Sequence, residues 1–299
     1  MKTRVLLALK LIVTGLLLWW LFRSFPMGQV FSRTRGMSIP WFMGAFGISL
    51  LVWIMQSVRW QRMTLEVNGE VPKLREFLYY TAIGYFFNIL LPSGMGGDAV
   101  KSVGLGRAMK DLGGSLASVF MSRVMGMAVM IACFWIAMFL WQGTLPTPVI
   151  TGMIGISVAT GLGLILFFGP WKLAFLLKTR LRRFIEFRAF LKIGGRGWLD
   201  SLAIQILVTF QPWMFFRSIG VHMPLVPVFL FLPPITLLTM IPVSVFGLGV
   251  REWATVYLFT LTGFTAADCL ASQGPAYLLV LLQALLGGLW FAWRTIRAR

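Results

Sequence analysis

The chain has 299 residues, of which 58% are hydrophobic and 12% are charged, and its formal net charge is +18 at pH 7. Soluble domains carry about 25% charged residues, so this composition excludes a soluble globular domain and predicts an all-α polytopic membrane protein. The basic residues lie between apolar runs, where they mark membrane topology, and we therefore expect no nucleic-acid partner. One histidine and two cysteines without ligand spacing predict neither a metal site nor another cofactor.

The apolar runs, in chain order, differ in length. Residues 5–22 have a basic start but no signal-peptide cleavage site, and they predict a retained first helix. The run at 77–91 is too short to cross a bilayer, which takes about 20 residues, and so are the runs at 225–241 and 250–262. The remaining runs are long enough to span: 39–58, 115–141, 148–169, 198–216 and 275–293.

Basic residues assign the connecting segments to sides, because cytoplasmic loops are enriched in lysine and arginine. Segment 170–197 is the strongest cytoplasmic marker, while 142–147 and 263–274 hold no basic residue and are predicted to lie outside. Segment 23–38 holds three arginines and fits this topology least well. Both termini are predicted to be cytoplasmic in a bacterial inner membrane. The other cytoplasmic segments are the N-terminus, 59–76, 101–112 and the C-terminal tail.

Two short elements are predicted to enter the membrane and turn back. Segments 59–76 and 101–112 are both cytoplasmic, and only one short run lies between them, so residues 77–100 must return to the side they came from. The runs at 225–241 and 250–262 form either a second hairpin, entered from outside, or two thin crossings. We predict approximately six full spans and two re-entrant broken-helix elements, with eight spans as the alternative.

The two breaks resemble each other. LPSGMGGDAVK at 91–101 and IPVSVFGLGVRE at 241–252 each place a glycine and then a basic residue after a proline, about half a chain apart. Broken helices entering from opposite sides indicate inverted repeats. The single transmembrane domain, 1–299, would then have halves at about 1–141 and 148–299. Proline and glycine as ordinary loop residues remain the alternative.

The breaks also hold the candidate substrate-binding residues. Helix N-termini favour anions, and glycines let a phosphate approach backbone N–H groups. Lys101 and Arg251 add positive charge. The carboxylates of Asp98 and Glu252 have three possible roles: they cap their own helices, they form ion pairs with Lys101, Arg251 or Arg123, or they contact the substrate. Asn88 is interpreted as a substrate contact or a helix–helix hydrogen bond, and Arg59 as an interfacial anchor. The full set is Asn88, Ser93, Gly94, Gly96, Gly97, Asp98, Lys101, Arg123, Ser244, Gly247, Gly249, Arg251 and Glu252.

Three stretches together resemble a known family. NILLPSGMGGDAVK (88–101), SVFMSRVMG (118–126) and IPVSVFGLGVRE (241–252), with VRW at 58–60, are similar to the lysylphosphatidylglycerol synthase transmembrane region family. The resemblance implies a lipid translocase, the part of the multiple-peptide-resistance proteins associated with flipping an aminoacylated phospholipid. The family pattern has an arginine after the GGD motif, whereas this chain has Lys101. A lysine keeps the positive charge but cannot bind a phosphate through two parallel hydrogen bonds as an arginine can.

The residues and the resemblance favour a flippase for an anionic or aminoacylated phospholipid or a polyprenyl-phosphate-linked lipid, with the phosphate head group between the two breaks. The chain ends soon after its last span, so we expect no aminoacyl-transfer domain and no enzymatic activity. The alternatives are a membrane enzyme acting on a lipid-linked phosphate or sugar, with Asp98 and Glu252 as acid and base, and an assembly partner of an envelope-lipid enzyme. Segment 170–197 is predicted to contact anionic lipids, and homo-oligomerisation is left open.

Overall fold

The computed structural model describes residues 27–68, 70–90, 96–168, 194–241, 244 and 247–297, and these ranges contain helices and no strand. The predicted span 5–22 and residues 170–193 of the basic segment lie outside the described residues. In chain order the helices are α1 Met27–Arg35, α2 Ile39–Asn68, α3 Leu74–Leu90, α4 Gly96–Ala108, α5 Leu112–Leu140, α6 Thr147–Phe168, α7 Gly194–Ser218, α8 Leu225–Met240, α9 Val250–Thr260, α10 Ala266–Ala271 and α11 Gln273–Arg297.

The helix lengths confirm a multi-pass membrane protein. Within the described ranges, four helical stretches are long and apolar enough to cross a membrane, and α6 and α8 contribute shorter apolar helices. Such lengths suit a bilayer because a helix of about 20 apolar residues spans its hydrocarbon core. The four long stretches are Ile39–Leu65, Leu112–Leu140, Arg196–Ser218 and Ala266–Arg297.

Helix α5 lies at the centre of the bundle and packs against α2, α4, α7 and α8. Its start is fixed by Asp111, whose carboxylate accepts a hydrogen bond from the Gly114 N–H at 3.1 Å, a side-chain N-cap. Farther along, Phe134 is fully buried in an apolar cluster together with Phe231 of α8 and Phe259 of α9. This cluster joins the second half of the chain to the central helix.

Helices α3 and α4 form the first hairpin. Gly84 of α3 lies against Gly97 of α4, and Tyr80 lies against Gly104, so the residue numbers of the two helices run in opposite directions along their contact. The two helices are therefore antiparallel, and their return to the same side of the membrane stays a prediction.

Helices α8 and α9 form the second hairpin. The Phe231 and Phe259 rings meet edge to face with centroids 5.2 Å apart. Thr239 approaches Gly247 closely enough that a Cβ at position 247 would lie 3.0 Å from the threonine Cβ. Gly247 has a φ of 71° and Gly249 a φ of 82°, a left-handed conformation that glycine adopts without strain.

One end of the bundle, here called the basic face, is tied together by two ion pairs. Arg62 near the end of α2 contacts Asp200 near the start of α7, at 2.5 Å. Glu76 at the start of α3 receives two hydrogen bonds from Arg294 near the end of α11, one of 2.6 Å through Nη1. Helix α3 therefore begins at the basic face.

The opposite end, here called the distal face, joins α1 to the second half. Arg33 of α1 forms an ion pair with Asp268 of α10, and the Ser38 N–H donates to the Ser218 carbonyl oxygen at 2.7 Å. The arginine-containing segment 23–38, described here from residue 27, thus lies on the same face as the base-free segment 263–274. Helix α8 follows Ser218 and begins at this face, so the two hairpins enter the bundle from opposite ends.

Candidate functional site

A carboxylate and two cations meet where the first hairpin packs against α5. Asp98, in the first turn of α4, contacts the Lys101 Nζ at 2.7 Å through Oδ1 and the Arg123 Nε through Oδ2. The three side chains are only 15 to 28% exposed. The i, i+3 spacing places Lys101 one turn after Asp98 on the same helix face, and a carboxylate is favoured in the first turn by the helix dipole. The sequence-based pairing of Asp98 with Arg123 is therefore present.

This cluster borders a cavity of about 330 Å³, here called the first cavity. Asn88 at the end of α3 lines it, and so does Met240, the last residue of α8, so the tips of both hairpins reach the same space. Gln56 and Gln205 add neutral polar groups from α2 and α7. The first cavity is therefore a polar space inside an apolar bundle.

Arg59 also lines the first cavity, and its interpretation as an interfacial anchor is wrong. The side chain is only 8% exposed. Its Nη1 donates to the Ser201 Oγ at 2.8 Å and its Nη2 donates to the Ser122 Oγ at 2.9 Å. Its Nε is buried and has no hydrogen-bond partner among the described residues. The VRW match at 58–60 was the sequence signal that could have assigned Arg59 to the site.

The backbone N–H groups at the two breaks are occupied by side chains. The Gly97 N–H donates to the Asn88 Oδ1 at 2.8 Å, and the Gly249 N–H donates to the Glu252 Oε2 at 2.6 Å. Asn88 therefore closes the first hairpin, while Glu252 caps its own helix. These two N–H groups are not open to a phosphate in this conformation. Gly96 is buried beside Gly97, and Ser93 and Gly94 lie outside the described residues.

A second cavity, of about 290 Å³, lies toward the distal face. Arg251 lines it from the first turn of α9, with Thr239 of α8 and Gln211 of α7. Val208 of α7 borders both cavities. Further neutral polar lining comes from Thr236, Thr255, Ser272, Gln273 and Gln283.

The thirteen predicted residues are therefore not gathered into one site. Asp98, Lys101, Arg123 and Asn88 border the first cavity, and Arg251 borders the second. Glu252 and Ser244 are each 4% exposed and line neither cavity, and Gly247 and Gly249 shape the second break. Within the described ranges, no group of three or more His, Cys, Asp and Glu side chains is placed to hold a metal ion. Chemically, the first cavity can bind an anion through several cationic donors.

Comparison with known proteins gives one match. No curated protein and no solved structure matches the chain. A family model described as lysylphosphatidylglycerol synthase TM region matches residues 7–287, a range that includes both hairpins and both cavities. The family is that of a membrane region with a lipid-related role, and the resemblance in the two breaks is confirmed. The chain belongs to the lysylphosphatidylglycerol synthase transmembrane region family.

Proposed function

We propose that the chain is a translocase that moves a phosphate-bearing lipid across the bacterial inner membrane, and that it is not an enzyme. The observation that carries the proposal is the first cavity, whose described lining places three cations and one carboxylate inside an apolar bundle. Charged side chains at membrane depth are costly and are usually retained for a function. A lipid phosphate is the membrane component whose charge suits this lining.

The two cavities supply a path for the head group. The first cavity extends toward the basic face through Arg59 and Ser201, and the second extends toward the distal face through Gln211 and Ser272. Val208 separates them. A head group that passes Val208 moves from the cavity of one hairpin to the cavity of the other while its tail stays in lipid.

In this proposal the two hairpins move during transport. They enter from opposite faces and end near the middle of the bundle, an arrangement that transporters use for alternating access by rocking one repeat against the other. In this proposal the hairpins are re-entrant, and the basic face is cytoplasmic because lysine and arginine predominate there. Closing the first cavity and opening the second would expose the head group to the other leaflet.

The test is translocation of tail-labelled lipids in liposomes containing the purified protein. The lipids include anionic and aminoacylated phospholipids and a polyprenyl phosphate. Asp98→Asn removes the carboxylate that orders Lys101 and Arg123, and we expect the rate to fall by about tenfold, equivalent to ~1.4 kcal/mol in the barrier. Arg62→Gln changes a half-exposed arginine outside the cavity and is the matched control. Wild-type translocation by Asp98→Asn would refute the mechanism, and chemical conversion of any lipid in the panel would favour the enzyme alternative.

A further inference from the structure

We propose that Arg59 is a specificity-determining residue and that the first cavity selects lipids whose head group is a phosphomonoester. This inference rests on the proposed function and deepens it, because it names the class of lipid. It depends on two features, the hydrogen bonding of Arg59 and the charge of the cavity lining.

The hydrogen bonding of Arg59 is incomplete. Its two terminal nitrogens donate to the hydroxyls of Ser201 and Ser122, which are neutral acceptors. Its Nε is buried without an acceptor in the described part of the chain. Asp200, next to Ser201 on α7, pairs instead with Arg62. A buried donor without a partner is destabilising, and a guanidinium is suited by shape to phosphate oxygens. Arg59 is therefore positioned to receive an anionic oxygen from the cavity.

The charge of the lining sets the charge of the preferred ligand. Among the described residues that line it, the ionised ones are Arg59, Lys101, Arg123 and Asp98, which together carry a net charge of +2. Both oxygens of Asp98 are engaged, one by Lys101 and one by Arg123. Charges enclosed at low dielectric are stabilised only when they are compensated. This described lining therefore matches a ligand that carries about two negative charges.

Three kinds of head group differ in how well they supply these charges. A phosphodiester supplies one negative charge, and a lysyl ester on that phosphodiester adds positive charge to a site that is already cationic. A phosphomonoester carries about −1.5 to −2 at pH 7, because its second pKa is about 6. The lining thus favours a phosphomonoester over the lysyl head group in the family's description. Phosphatidic acid and polyprenyl phosphates share this chemistry and differ in their tails.

The test measures binding to the purified protein by native mass spectrometry in competition. The probes are phosphatidic acid, a polyprenyl phosphate, phosphatidylglycerol and lysylphosphatidylglycerol. We expect each wild-type complex with a phosphomonoester to form with about tenfold higher affinity than the phosphatidylglycerol complex, a difference of ~1.4 kcal/mol. Arg59→Gln should abolish this preference, Arg59→Lys should retain part of it, and Arg33→Gln, on the distal face, should retain all of it. Phosphatidic acid and phosphatidylglycerol share their tails, so the ratio of their affinities decides the head group, and the polyprenyl phosphate shows whether the tail matters.

The wild-type ratio decides the proposal even where a variant does not fold. Equal or tighter binding of phosphatidylglycerol or lysylphosphatidylglycerol overturns it, and so does a folded Arg59→Gln protein with the wild-type preference. If the preference is found but no lipid is translocated, the proposed function fails and the binding inference stands. If lipids are translocated without the preference, the inference fails and the proposed function stands.

Discussion

The contact between the two helices of the first hairpin predicts a large effect of Gly97→Ala. A methyl group at position 97 would overlap the carbonyl oxygen of Gly84 and would lie 2.7 Å from the Asn88 Oδ1. A backbone carbonyl cannot rotate out of the way as a side chain can, so α4 must move away from α3. That movement breaks the 2.8 Å hydrogen bond from the Gly97 N–H to Asn88.

The magnitude follows from these separate contributions. Overpacking a close contact costs about 1–3 kcal/mol, and losing a buried hydrogen bond costs about 1 kcal/mol. The better helix propensity of alanine offsets about 1 kcal/mol. We therefore expect Gly97→Ala to lower the free energy of unfolding by about 1–3 kcal/mol. At roughly 2–4 °C per kcal/mol for a chain of this size class, the Tm should fall by about 2–12 °C.

Gly84→Ala is the matched control, because it adds a methyl group to the same contact from the other helix. A Cβ at position 84 would lie 3.4 Å from the Gly97 carbonyl oxygen and 3.6 Å from the Lys101 Cδ, which small adjustments can accommodate. Thermal unfolding in detergent, followed by tryptophan fluorescence, measures both variants. The reasoning is refuted if Gly97→Ala keeps the wild-type Tm, or if Gly84→Ala loses as much.

Two further predictions concern the second break and the topology. Glu252→Gln keeps an oxygen that accepts the hydrogen bond from the Gly249 N–H, so its free energy of unfolding should stay near that of the wild type. Glu252→Ala should lower the free energy of unfolding by about 0.5–2 kcal/mol in the same assay. Equal losses in the two variants would contradict the role of Glu252 as the helix cap. In a chain with single added cysteines, an impermeant maleimide applied outside intact cells should label Phe31→Cys on the distal face but not Glu70→Cys between α2 and α3. The native Cys133 and Cys269 are buried and should give little background, and the reverse pattern would invert the proposed topology.

The path of the chain could be predicted from sequence where local rules determine it. Antiparallel packing of α3 and α4 agrees with the charge pattern, which has basic residues on both sides of one short apolar run, while the re-entrant path itself stays a prediction. The described helices begin and end within a few residues of most predicted runs, such as 225–241 against Leu225–Met240. Helix α2 is the exception: it continues to Asn68, ten residues beyond the predicted end, because the polar turns after Arg59 are packed against the first hairpin and α7.

The site could be predicted only in part, because its geometry depends on distant residues. An arginine beside Trp60 at the end of an apolar run fits a membrane interface as well as an interior. Arg59 lies in the interior because it donates a hydrogen bond to Ser201, which is 142 residues away in sequence and comes close only when α7 packs on α2. Glycines at the start of α4 predict accessible N–H groups, but the register of the hairpin brings Asn88 onto Gly97. Local hydropathy and turn patterns predict neither contact.

The two breaks, although similar in sequence, use their carboxylates differently. In the first, Asn88 supplies the hydrogen bond to the backbone, which leaves Asp98 to hold Lys101 and Arg123 at the cavity. In the second, Glu252 is the cap, and only its neighbour Arg251 borders a cavity, whose described lining includes no carboxylate. An anionic head group must therefore compete with Asp98 for the cations of the first cavity. In the proposed mechanism this difference makes Asp98→Asn, rather than Glu252→Gln, the substitution that alters transport.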